Sequence, residues 1–420
     1  MTSPPGWHRT TVGELLALRY GKALHKDSRT LTGRYPVIGS AGQLAATDKP
    51  LVSGPVVLIG RKGNVGQVHF ADGGCWPIDT TYFSQVPEQV DPSFLVHLLG
   101  SLDLKRLDSS TATPSLRRQD LEMQPLALPG ITTQRRIVEI LEDHLSRLDA
   151  AGDYESAALR RIGSLREELI RRAVIGADVS GPRKAPGLAD AGTQDGDLAE
   201  LPESWTWRRL GEIADVVGGV TKDAKKQSLP GQIEVPYLRV ANVQRGALRL
   251  DDITRIRVSP EKADALRLIA GDVLLNEGGD RDKLARGWVW QDEVANCIHQ
   301  NHVFRARVRV DLDPYFLSWT ANTIGGRWAE RNGKQSVNLA SISLSMIRRM
   351  PVVVPAPGVS TGIVARLRGQ MNDIDRLERA TRASIARRSA LRRAVLAAAF
   401  EGTLTGRHTD AEMIEELTDV

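Results

Sequence analysis

The chain carries one pattern twice, so whatever it folds into must hold two copies of the same unit. Residues 7–15 (WHRTTVGEL) align with 205–213 (WTWRRLGEI) at an offset of 198. Residues 35–38 (YPVI) answer 235–238 (VPYL), 54–59 (GPVVLI) answer 271–276 (GDVLLN), and 91–95 (DPSFL) answer 313–317 (DPYFL). From Pro125 onward the offset is constant at 226, pairing Pro129 with Pro355, Ile137 with Ile363, Leu141 with Leu367, Asp149 with Asp375, Arg166 with Arg392 and Gly176 with Gly402. Drift early and constancy late imply a variable front module and a length-constrained back module in each half.

The front modules, 1–128 and 203–354, hold short β-type runs such as 56–59 (VVLI), 273–275 (VLL), 302–308 (HVFRARV) and 350–354 (MPVVV). Gly, Asp and Asn turns separate them, so each module reads as a mixed α/β globule with a strong β component. The back modules, 129–176 and 355–402, read as helices of about 40 residues, or about 60 Å. Val138, Leu141, Leu145, Leu148, Leu159, Ile162, Leu169 and Ala173 follow a 3-4 apolar spacing, and Val364, Leu367, Met371, Ile374, Ile385 and Val395 repeat it. Prolines sit just ahead and glycines just past the ends, as helix punctuation requires.

One such helix alone would leave its apolar stripe wet, whereas two equal stripes can bury each other. Residues 177–202 are rich in Gly, Asp and Pro and read as a linker long enough for the second half to return. The expected fold class is therefore α+β: two mixed α/β domains related by a pseudo-two-fold axis, separated by a pair of long antiparallel coiled-coil helices. Residues 403–420 form an acidic C-terminal tail with Asp410, Glu412, Glu415, Glu416 and Asp419.

Composition narrows the function. The net charge is only +5, but seven arginines against one Glu fall between Arg376 and Phe400. Such a run suits phosphates, although on charge alone a solvated helix face is the favoured reading. Two cysteines, Cys75 and Cys297, are too few for a disulfide framework. No apolar stretch approaches the roughly 20 residues of a membrane helix, and MTSPPGWHRT lacks a secretory pattern. A cytoplasmic protein is expected, with no membrane partner.

The arrangement resembles the specificity subunits of Type I restriction-modification systems along essentially the whole chain. In the first module the resemblance is carried by residues 35–42 (YPVIGSAG), 59–66 (IGRKGNVG) and 79–82 (DTTY), in the second by 235–242 (VPYLRVAN), 271–278 (GDVLLNEG) and 296–302 (NCIHQNH). The helix entries carry Thr133-Gln134 and Ser360-Thr361 where a Glu-Gln pair is common in the family. The resemblance implies two target-recognition domains reading a bipartite, asymmetric target in double-stranded DNA, with a gap set by the helix pair. It also implies docking of two adenine methyltransferase subunits and two motor-nuclease subunits. S-adenosylmethionine, ATP and Mg would then belong to those partners, with no cofactor and no catalytic residue in this chain.

Residues of catalytic appearance have plainer readings. Asp313-Pro-Tyr-Phe316 and Asp91-Pro-Ser-Phe94 lack the second proline of an amino-methyltransferase motif and read as helix starts. Asp223-Ala-Lys225 with Asp215 fits a nuclease pattern only loosely. Cys297, His299 and His302 lack a fourth zinc ligand and read as polar side chains of a strand near DNA. The 60–66 loop lacks the Gly-Lys-Ser/Thr ending of a nucleotide-phosphate loop, so it reads either as a basic loop approaching DNA or as an ordinary turn. Base reading calls for Arg or Lys against guanine, Asn or Gln against adenine and small groups against thymine methyls. The candidates are Ser40, Gln43, Arg61, Lys62, Asn64 and Thr80 in the first module. In the second they are Arg239, Asn242, Gln244, Arg245, Arg281, Lys283, Gln300, Asn301 and His302. The alternatives are a stand-alone methyltransferase or nuclease, for which no spare domain exists, and a duplicated coiled-coil adaptor that binds protein only.

Overall fold

The computed structural model describes residues 6–108, 110, 113–335 and 340–404; most of the acidic tail, from residue 405 on, lies outside them. The chain divides into two compact units, Met1–Ala157 with Thr381–Val420, and Ala158–Ala380.

In the first unit, nine strands matter: β1 (His8–Thr11), β2 (Arg19–Tyr20), β3 (Tyr35–Gly39), β4 (Gly42–Thr47), β5 (Val56–Gly60), β6 (Val68–Ala71), β7 (Trp76–Pro77), β8 (Thr81–Gln85) and β9 (Pro125–Leu128). An antiparallel sheet runs in the order β2-β8-β5-β6, and a smaller one in the order β4-β3-β7, with β3 and β7 parallel. β5 is buried along its whole length, which is why its sequence is an unbroken apolar run without alternation. β1 pairs with β9 and brings the first strand to the chain segment entering the long helix.

The second unit repeats this strand for strand: β10 (Thr206–Arg209), β11 (Ala214–Gly218), β12 (Ile233–Leu238), β13 (Thr254–Val258), β14 (Val273–Asn276), β15 (Gly287–Val289), β16 (Ile298–His299), β17 (Val303–Val308) and β18 (Pro351–Val354). The orders are β11-β17-β14-β15 and β13-β12-β16, with β12 and β16 parallel, and β10 pairs with β18. The duplication legible in the sequence is thus a duplication of topology.

Four helices complete the frame: α1 (Pro92–Ser101), α2 (Ile131–Val174), α3 (Pro314–Thr320) and α4 (Val359–Phe400). The Asp-Pro motifs start α1 and α3. Asp91 accepts from the Phe94 amide at 3.1 Å and Asp313 from the Tyr315 amide at 2.8 Å, each followed by proline at the first helical position. The long helices grip these starts. Asp91 donates its own N–H to Gln134 Oε1 at 2.8 Å, and Asp313 donates its N–H to Ser360 Oγ at 3.0 Å. Gln134 and Ser360 occupy the same place in the two repeats. Each offers a side-chain oxygen that accepts.

Each unit contains part of both long helices, and their apolar faces are buried together. In the first unit Ile137, Leu141 and Leu145 of α2 share a core with Val395 and Ala399 of α4, and with Phe94, Leu95, Leu98 and Leu99 of α1. The Phe94 and Phe400 rings meet edge to face, 5.5 Å between centroids. In the second unit Val174 joins Ile363, Val364 and Leu367 beneath Trp205 and Phe316. Burial of each such side chain is worth about 1.5–3 kcal/mol, so these seams dominate the pairing.

Ion pairs then define the register. Asp149 meets Arg392 at 2.6 Å and Glu155 meets Arg388 at 2.8 Å within the first unit, partner numbers falling as α2 numbers rise, so the pairing is antiparallel. In the second unit Arg166 meets Asp375 at 2.6 Å and Glu378 at 3.0 Å. Arg388 and Ser384 hold the Glu155 carboxyl below the usual range. Part of the basic run at 376–400 is therefore neutralised inside the helix pair.

Residues 177–202 behave differently from a slack linker. Arg183 donates to the Ile175 and Gly176 carbonyls at 3.0 Å, residues 183–184 pair with 201–202, and Trp207 Nε1 donates to Ala199 O at 3.0 Å. Its anchor is Asp195, which accepts from both terminal nitrogens of Arg209 at 2.9 and 2.8 Å and from Trp328 Nε1 at 3.0 Å. The composition suggested freedom, but the segment is a strap fastened along the second unit.

Two consequences can be measured. Gln134→Ala leaves the part-buried Asp91 N–H and the Pro129 carbonyl without their partner, and Ser360→Ala does the same to Asp313. Each is expected to cost about 1–3 kcal/mol in chemical denaturation; an unmoved midpoint in both would contradict the grip. Arg209, ahead of Thr193 and Trp328, holds the Asp195 carboxyl below its ordinary value. The stability this contributes is present above the unfolded aspartate value of about 4 and lost as pH falls through the lower folded one. Asp195→Asn should flatten that part of the acid denaturation curve, and an identical curve would contradict the anchor.

Candidate nucleic-acid interface

In the first unit three pieces of chain converge: the exit of β3 at Ser40, the loop leaving β5, and the turn between β7 and β8. Ser40 N–H donates to Thr80 Oγ1 at 3.2 Å, while the Arg61 and Lys62 amides donate to Thr80 O at 2.8 and 3.2 Å. Arg61 reaches back to Asp79 O at 2.8 Å, and its guanidinium lies over the Tyr20 and Tyr82 rings at 5.1 and 6.0 Å. The loop closes through glycines: a Cβ at Gly60 would stand 2.0 Å from Asn64 O, and Gly66 combines a φ of +75° with a Leu104 contact of 2.6 Å. Lys62, Asn64 and Gln43 are exposed around this knot. Arg34, Gln43 and His69 line an adjoining open hollow of about 600 Å³.

The second unit builds the same place from other residues. Gln300 N–H donates to Leu238 O at 2.9 Å, Asn301 N–H to Val220 O at 3.0 Å and Glu277 N–H to His302 O at 3.0 Å. The turn 300–302 therefore sits against the exits of β12 and β14, as the turn at Thr80 sits against those of β3 and β5. A Cβ at Gly219 would lie 1.9 Å from His299 O, and one at Gly21 would lie 2.0 Å from Ile78 O, the same close approach in both units. Arg239, at the β12 exit, pairs with Asp252 at 2.9 Å. His302 Nδ1 lies 2.7 Å from Glu277 Oε2, and its Nε2 lies 3.3 Å from Asn301 Nδ2.

Other candidates lie elsewhere. Asn242 is buried: its oxygen accepts from the Arg239 amide and its nitrogen donates to the Arg249 and Asp252 carbonyls, which corrects its reading as a DNA contact. Gln244 donates to Ala241 O at 2.7 Å. Arg245 is fixed to the Asn322 and Asp282 carbonyls, Arg281 to Glu330 O at 2.9 Å, and Lys283 to Asp280. Nearby, burial and the charges of Arg245 and Arg249 pull Arg286 below the ordinary arginine value. Glu277 and Arg286, which lie beside these candidates, were not among the residues expected from the sequence.

The residues of catalytic appearance resolve as structure. Asp223 caps a short helix by accepting from the Lys225 and Lys226 amides, and Asp215 pairs with Arg305 at 3.0 Å. Cys297 and His299 are core side chains rather than polar groups on a DNA-facing strand. His299 Nδ1 lies against Val303 O at 2.6 Å. Burial pushes His299 down to about 4 and the Cys297 thiol up to about 12. Among the described residues no group of three or more His, Cys, Asp or Glu could hold a metal ion, and no helix is long and apolar enough to cross a membrane.

Known proteins agree with this architecture. Residues 4–152 match the family described as Type I restriction modification DNA specificity domain. The chain is 21% identical to the Type I restriction enzyme EcoDI specificity subunit of Escherichia coli, over 96% of this chain and 90% of that one. It is 23% identical to the EcoBI specificity subunit of Escherichia coli, over 76% and 67% respectively. A chain from a solved type I R-M system superposes with a TM-score of 0.70 at 18% identity, covering 96% of this chain and all of that one, and so shares its fold. Over nearly its whole length, and in its duplicated topology, the chain is thus similar to the Type I restriction-modification specificity subunits, and residues 4–152 match their DNA specificity domain.

Proposed function

We propose that each unit reads one half of a bipartite, asymmetric target in double-stranded DNA, and that the chain brings that target to methyltransferase and motor-nuclease partners. The observation that carries this reading is the repetition of one turn-and-loop cluster, at the same point of the same topology, with different side chains. Ser40, Arg61, Lys62, Asn64 and Thr80 stand in one unit; Arg239, Gln300, Asn301 and His302 stand in the other. Conserving a frame while changing its reading edge suits a protein that must recognise two unlike sequences. Gln43, Gln244, Arg245, Arg281 and Lys283 remain candidates for contacts, chiefly to phosphates, which position without specifying. The long helices act as a ruler between the half-sites. S-adenosylmethionine binds the methyltransferase partners, and ATP and Mg bind the motor-nuclease partners.

Purified with a methyltransferase partner, the chain should direct adenine modification at one bipartite sequence, and removing it should abolish that specificity. Retention of DNA by the complex should weaken steeply with salt, log affinity falling by about 0.9 per phosphate neutralised for each unit of log salt. Salt-independent behaviour, or no DNA retention at all, would favour the protein-only adaptor. Methyl transfer by the chain alone would contradict a recognition role.

The ruler has its own test. Removing about four matched residues from both long helices shortens them by about 6 Å, or about two base-pair steps. The gap in the modified sequence should shrink accordingly while both half-site sequences persist. An unchanged gap rules the ruler out.

A further inference from the structure

We propose that Glu277, His302 and Asn301 form a relay that orients the Asn301 amide to read adenine in the half-site contacted by the second unit. The proposal rests on the DNA-reading assignment above and deepens it.

The chain of contacts is short and directional. An ionised carboxylate can only accept, so the His302 Nδ1 facing Glu277 Oε2 at 2.7 Å carries the ring proton. With the ring neutral, Nε2 presents its lone pair to Asn301 Nδ2, 3.3 Å away. That contact distinguishes the two ends of the amide. One Nδ2 hydrogen is committed to the imidazole. The other remains beside Oδ1, giving one donor and one acceptor on the open edge. Adenine offers the complement in the major groove, an acceptor at N7 and a donor at N6; guanine offers two acceptors, and Oδ1 would oppose its O6.

Fixation of the backbone beneath the relay supports this role. Asn301 N–H is tied to Val220 O, Glu277 N–H to His302 O, and Glu277 O to the Ile342 amide. Little ordering is left to occur on binding, as a specific site requires. The side chains nonetheless remain at the surface, His302 about half exposed and Glu277 about one quarter. The first unit has Thr80 in the corresponding turn and Gly60-Arg61 at the strand exit. A relay in one unit only makes the two reading edges chemically unlike.

Asn301 is the reader in this scheme, and His302 and Glu277 are positioning residues. The test uses the full chain with its methyltransferase partner on a plasmid library randomised in both half-sites, followed by sequencing of modified adenines. The unaltered protein should demand adenine at one position read by the second unit. Asn301→Ala and Glu277→Ala should relax that demand about tenfold or more, the range of a lost bidentate contact. The first half-site and the gap should be retained, which also reports that the variants fold. Glu277→Gln keeps an oxygen acceptor for Nδ1–H and should preserve the demand to within about twofold. Unchanged base preference in both alanine variants overturns the relay, as does a uniform loss of modification without a change in preference. If the unaltered protein directs no sequence-specific modification, the DNA-reading assignment fails and the relay with it.

Discussion

Mutual burial of two long apolar stripes is the constraint on which the rest depends. A helix such as Ile131–Val174, carrying Ile137, Leu141 and Leu145 on one face, gains little from intrinsic propensity and needs a partner surface to persist. Val359–Phe400 supplies it. In the first unit the shared core reaches from Leu141 to Ala399 and on into α1; in the second it reaches from Val174 to Leu367 and on into Trp205. Ion pairs such as Asp149–Arg392 are exposed and worth little individually. Their role is to choose one register among the many that apolar surfaces alone would tolerate.

The same helices also organise the globular parts. Gln134 and Ser360 accept the N–H of the aspartate that starts the neighbouring short helix, so the entry to each long helix is bonded to the body it leaves. β1 with β9, and β10 with β18, tie the first strand of each unit to the segment entering its helix. The strap at 183–202 adds a third attachment in the second unit through Asp195 and Arg209. Side chains on loops gain precision when the elements beneath them are held this firmly.

Much of this was legible in the sequence because it concerns period and repetition. The constant offset of 226 announced two helices of one length, the unbroken runs 56–59 and 273–275 announced strands, and the Asp-Pro pairs announced helix starts. What escaped depends on partners far away in the chain. Asn242 has the composition of a base reader but faces inward, because the Arg249 and Asp252 carbonyls need a donor there. The Gly/Asp/Pro-rich segment looked slack, yet one partly buried aspartate meeting Arg209 and Trp328 fastens it. Glu277 lies within 271–278 but was not among the reading candidates; the pairing of Asn276 with Val303 is what brings His302 beside it.

The most direct measurement is an exchange of parts. Residues 1–128 would be replaced by the corresponding front module of a relative, leaving both helices and the second unit intact, and the modified sequence would then be mapped. The account predicts that one half of the recognised sequence changes while the other half and the gap stay as they were. A change in both halves, or in neither, would contradict it.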